Sequence, residues 1–170
     1  AGIPIAAAAP DNAAEARLAQ LFEDDARRED QFSPLLAIYR GKRVDPAAMT
    51  QIFTDTLDRR MLDSASQSLR LLQRIDRARL SPERQISYDV FRGEKRERIA
   101  WLQPDIRSLT AVRPLNHFGG LHVEFPTLVA RDGALPFANE ADYRTALALN
   151  AAFAQVLDNA VSRFRQGTAS

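Results

Sequence analysis

A chain of 170 residues and 19.0 kDa has the length of one ordinary domain and is short for two. Its 23 basic and 22 acidic residues leave a net charge of +1, so no global field directs it to nucleic acid or to an anionic membrane. Cysteine is absent, which removes disulfides, thiolate metal sites and cysteine nucleophiles, and two histidines leave little material for imidazole chemistry.

The first ten residues, Ala1 to Pro10, are small and apolar with no basic segment before them, and are expected to be a flexible Ala-rich terminus. They fit equally the mature end left by a removed signal peptide, a tether, or a cloning remnant. Residues 11–170 are expected to form a single helical domain. Asp11 is suited to cap a helix running to about Asp30, with Leu18, Leu21, Phe22 and Ala26 on one face and Glu23, Asp24, Arg27, Arg28 and Glu29 on a solvated one. Ser33-Pro34 opens a short helix that ends near Gly41. The longest periodic stretch, Thr54 to Ala78, places Leu57, Met61, Leu62, Ala65, Leu69, Leu72 and Ile75 at helical spacing. Its serines Ser64, Ser66 and Ser68 are expected on the exposed side. Ser81-Pro82-Glu83 starts the next helix, to about Leu102, so the two helices form an antiparallel hairpin. In that helix the run Arg92 to Arg98 is expected to be exposed, with Glu94 and Arg98 paired, and Trp101 and Phe91 are core candidates.

The segment 104–138 carries Pro104, Pro114, Pro126 and Pro136 together with Gly119, Gly120 and Gly133, and is expected to be one long ordered loop. Its apolar content calls for packing, with a short strand over Leu121 to Phe125 or a helical turn near Thr127 as local alternatives. Asn139 caps the last helical region, either one long helix or two broken near Asn150, closed by Gly167. The expected architecture is all-α: four to six long amphipathic helices in an antiparallel array with one Pro/Gly-rich ordered loop. No stretch approaches the roughly 18 apolar residues of a membrane span.

Chemistry-bearing residues concentrate in that loop: Asn116, His117, Gly119, Gly120, His122 and Glu124 are the candidate cleft-lining or binding residues. A zinc site would use His117, His122 and Glu124, since nitrogen and oxygen donors suit that ion, but their spacing is not the one-turn arrangement of helical zinc motifs. Packed or hydrogen-bonded imidazoles are the simpler expectation. No nucleophile elbow, phosphate-binding loop or paired-carboxylate site is recognisable.

Ser33-Pro34 with Gly41, Leu72-Gln-Arg-Ile-Asp76, Leu80-Ser-Pro-Glu83 and Tyr88-Asp-Val-Phe91 follow one another in a familiar order. Pro114-Leu-Asn-His-Phe-Gly-Gly120 with His122 and Phe125, then Asp142-Tyr143 and Phe164-Arg-Gln-Gly167, extend it along most of the chain. In this order and spacing the chain resembles the N-terminal part of the domain-of-unknown-function 885 family, bacterial exported proteins and lipoproteins related to zinc-dependent peptidases. His117 stands where glutamine is common in that family. The resemblance implies a helical scaffold that forms a wall of a substrate cleft and is not catalytic by itself. It implies zinc only in a catalytic part downstream, and no catalytic or metal residue carries over to this chain. The implied partners are that downstream part or a peptide substrate; composition and hydropathy, separately, argue against nucleic acid and a membrane span, and a homo-oligomer remains open. The implied location is periplasmic or exported, with a cytoplasmic one as the alternative, since a chain without cysteine fits both. The alternatives are an autonomous helical module that binds a peptide or partner protein, and a small hydrolase using His117, His122 and Glu124.

Overall fold

The computed structural model describes residues 11–110, 114–116, 119–130 and 132–169. The expected terminal tether, residues 1–10, and His117 lie outside them. Among the described residues the chain is all-α, with eight helices and no strand.

Helix α1 (Asn12–Phe32) starts on Asp11, whose side chain accepts from the Ala13 amide at 2.9 Å. Pro34 opens α2 (Pro34–Tyr39), and Gly41 takes the left-handed conformation (φ +67°) just beyond it. The brief α3 (Pro46–Met49), capped by Asp45, was not expected from periodicity, because four residues carry no helical pattern. Thr54 caps α4 (Asp55–Leu72) by accepting from the Leu57 amide. Helix α4 stops at Leu72 rather than Ala78. There Asp76 accepts from the Ala78 amide, and the Arg77 guanidinium grips both Asp89 oxygens and Gln85. These side-chain bonds hold a 3-10 turn, Arg77–Arg79, in place of continued helix.

Pro82 begins α5 (Pro82–Trp101), which packs on α4 as the expected hairpin. The segment 104–138 is not one loop. Pro104 starts α6 (Pro104–Thr110) because a first-turn proline lacks only an amide the helix leaves free anyway. Gly120, at φ +126°, turns the chain into α7 (Leu121–Leu128), which replaces the strand alternative at 121–125 and includes the turn at Thr127. Pro126 lies inside α7, where its ring lacks the amide that would bond the His122 carbonyl, and the helix ends two residues later. Finally α8 (Glu140–Ala169) is one unbroken helix: Asn150 donates back to the Ala146 carbonyl at 3.0 Å, and Gly167 lies inside it instead of closing it.

Two apolar cores result. Leu18 and Leu21 of α1 meet Leu72, Ile75, Leu80, Tyr88 and Phe91 from α4, α5 and their turn. Ile38, Met49, Phe125, Leu128, Leu149 and Val156 join α2, α3, α7 and α8. The amide of Ser81 donates to Glu15 and that of Asp11 to the Arg79 carbonyl, both at 2.8 Å, so the start of α1 is tied to the α4–α5 turn.

Candidate functional site

The loop residues singled out by sequence form a tight approach to α7. Asn116 and Gly119 make an isolated antiparallel bridge, and the Gly119 amide donates to the Asn116 side chain at 2.9 Å. Gly120 follows, and a Cβ built there would lie 3.6 Å from His122 Nδ1. His122 is half-buried, and its Nδ1 is enclosed without a hydrogen-bond partner. Glu124 is exposed on another side of α7, because residues two apart on a helix point away from each other. Asn116, Gly119, Gly120 and His122 therefore come together and Glu124 does not join them. Among the described residues, no three His, Asp or Glu side chains approach closely enough to hold a metal.

A concavity opens elsewhere, between α1, α2 and α5. This cleft holds about 570 Å³, and its floor is the ammonium of Lys95. Lys95 is 5% exposed, lies 2.5 Å from Asp25 and 3.2 Å from Glu29, and sits over the Phe91 ring. Asp25 is itself buried and accepts from the Ser68 hydroxyl at 2.6 Å; Ser68 in turn accepts from Arg28 at 2.9 Å. One ammonium between two carboxylates, with these hydrogen bonds added, satisfies the charges that burial would otherwise penalise heavily. The lysine is thus a fixed part of the floor.

The walls have a different character. Leu36 and Trp101 present apolar surface, both largely exposed, and the Trp101 indole donates to Glu97 at 3.3 Å. Arg98 reaches Glu29 at 3.5 Å, and Arg40 is held by Asp30 at 2.8 Å. Asp30 is kept below the usual carboxylate range, chiefly by the hydrogen bond from Lys42, with Arg40 adding to it. The cleft combines the apolar surface of Leu36 and Trp101 with guanidinium groups and carboxylates. Among its described lining residues the one lysine is tied between two carboxylates.

A second polar cluster fastens the two halves together. Arg163 of α8, 6% exposed, donates through Nε and Nη2 to the Phe53 carbonyl at 3.1 and 2.8 Å, and lies 2.9 Å from Asp58. Arg107 of α6 also bonds Asp58. Four residues earlier on α8, Asn159 donates to the carbonyls of Thr50 and Ile52.

Several sequence expectations are corrected here. Ser64 and Ser68 are buried rather than exposed, and Lys95 is the buried member of a run expected to be solvated. Arg98 turns to Glu29. Trp101 is 54% exposed, not core. A signal for the cleft did exist. Asp25 continues the register Ala14, Leu18, Leu21; Lys95 continues Tyr88, Phe91; Ser68 falls between Ala65 and Leu72. Three helices each place a polar residue at a core position, and such residues are buried only in one another's company.

Comparison with known protein families, with curated proteins and with solved structures gives no match.

Proposed function

We propose that this chain is a non-catalytic helical scaffold of a zinc-dependent peptidase, and that the cleft between α1, α2 and α5 is its contribution to substrate binding. The observation that carries this reading is the cleft itself, with the buried, ion-paired Lys95 and Asp25 beneath the apolar side chains Leu36 and Trp101. The outer face of α5 supports it. Ile86 and Val90 stand exposed one turn apart, and Trp101 stands exposed three turns further on at the cleft, beyond Glu94 and Glu97; such exposed apolar side chains are what further polypeptide would cover. In the family that the sequence resembles, a downstream region carries the glutamate and histidine metal motif; on this reading zinc and hydrolysis belong to that region.

The cleft also supports a second reading, an autonomous module that binds a peptide without any catalytic partner. Trp101 is the only tryptophan in the chain, so its fluorescence reports directly on the cleft wall. The scaffold reading expects no peptide hydrolysis by the chain alone and a change in Trp101 emission on adding a zinc-bearing region of the family made as a separate polypeptide. An emission change with peptide, and none with the zinc-bearing region, selects the autonomous module. Peptide hydrolysis by the chain alone, lost on replacing His122, overturns both.

A further inference from the structure

Helix α8 is apolar on two adjacent sides. One side enters the core through Leu149, Val156 and the buried arm of Arg163. On the other, Tyr143, Leu147, Val161 and Phe164 are exposed, Leu147 by 70%, and Ala154 and the half-buried Leu157 lie between them. The intervals from Tyr143 through Leu147, Asn150, Ala154, Leu157 and Val161 to Phe164 alternate four and three residues. That is the seven-residue spacing of a two-helix coiled-coil seam, sustained along a helix about 45 Å long.

We propose that this seam pairs with α8 of a second copy of the chain, antiparallel about a two-fold axis level with Ala152. In that register Tyr143 faces Val161 of the second copy, Leu147 faces its Leu157, and Asn150 faces its Ala154. Large side chains then close the two ends while alanines let the helices approach at the middle. Charge selects this register. It sets Arg144 opposite Asp158 of the second copy and Arg165 opposite its Glu140. Glu140 already pairs with Arg144 along its own helix at 2.6 Å, so each end of the seam becomes a row of alternating charges. Sliding the pairing by one heptad brings Arg144 against Arg165, a like-charge contact. A parallel pairing stacks Tyr143 on Tyr143 and leaves Arg144, Asp158 and Arg165 without opposite charges, since the other flank of the seam is core. A surface patch that is complementary to itself under a two-fold rotation is what a closed dimer requires. The proposal rests on α8 alone and is independent of the cleft.

Sedimentation equilibrium of the 170-residue chain tests it, with far-UV circular dichroism confirming helix content in each variant. The chain is expected to dimerise in the micromolar range. Asp158→Arg, an exposed position, is expected to raise the dissociation constant about tenfold, because two symmetry-related attractions become repulsions. Adding Arg144→Asp to it is expected to return the constant to within about threefold of the parent. Leu147→Asp is expected to leave a folded monomer. A parent chain that sediments as a monomer throughout the micromolar range overturns the proposal, and so does a double variant that dimerises no better than Asp158→Arg.

Discussion

Lys95 and Gly133 depend on their surroundings in opposite ways. Lys95 is held in an apolar setting only by Asp25 and Glu29. Lys95→Met takes the close cation from the buried Asp25 carboxylate and is expected to cost about 3 kcal/mol in urea unfolding. Combining it with Asp25→Leu should recover much of that loss, since well-packed apolar replacements of a buried pair are often neutral. Gly133 is constrained by space. A Cβ there would lie 2.4 Å from the Thr127 carbonyl oxygen and 2.5 Å from that of Leu128, both backbone atoms that cannot swing aside. Gly133→Ala is expected to lower stability by about 2 kcal/mol, measured by thermal unfolding, through displacement of the C-terminal end of α7.

At the scale of elements, the turn between α3 and α4 shows how one helix fixes another. Phe53 adopts φ +66°, a left-handed conformation that a side chain disfavours, and its carbonyl receives both Arg163 hydrogen bonds. Asn159 holds the preceding carbonyls of Thr50 and Ile52. One turn of α8 therefore clamps the turn that starts α4, and Arg163→Met is expected to cost about 3 kcal/mol by leaving the Phe53 carbonyl and Asp58 without it. By contrast Thr54→Ala removes a local cap and is expected to cost about 1 kcal/mol in the same unfolding assay. The contrast between a distant clamp and a local cap also explains what could be seen in sequence. The Asp11 cap acts on its nearest amide and Ser81-Pro82 places a proline in the first turn of α5, so both mark helix starts directly in the sequence. The Arg163 clamp spans 110 positions and leaves no local trace.

Across the whole molecule, Asp11, Glu15, Asp24, Asp30 and Asp89 are all held below their ordinary pKa. The first cause is the Ala13 amide for Asp11, the Ser81 amide for Glu15, Gln20 for Asp24, Lys42 for Asp30 and Arg77 for Asp89. A lowered native pKa means that the unfolded chain takes up the proton first as pH falls. The stabilisation is therefore complete above the unfolded values, near 3.8 for aspartate and 4.5 for glutamate, and is lost as pH falls through the native ones. The melting temperature is expected to be flat between about pH 5 and 8 and to fall below about pH 4.5. Asp89→Asn should make that acid limb shallower. Several of these contacts join distant parts of the chain, Glu15 to Ser81 and Asp30 to Lys42, so acid should loosen the packing between elements before it melts the helices.

Periodicity and caps determined the helical class, the α4–α5 hairpin and the helical character of the last region, because amphipathic spacing and end signals are properties of a dozen neighbouring residues; that this region is one helix and not two broken near Asn150 is seen only in the structure. Tertiary structure decided which polar residues are buried. Asp25, Ser68 and Lys95 look like surface groups in isolation and become a cleft floor only when three helices bring them within hydrogen-bonding reach. It also decided that Trp101, Ile86 and Val90 face outward. A single helix carries apolar residues on two sides without stating which side its neighbours will cover. The loop candidates divided for the same reason: nearness along the chain gathered Asn116, Gly119, Gly120 and His122, while the helical twist of α7 turned Glu124 away.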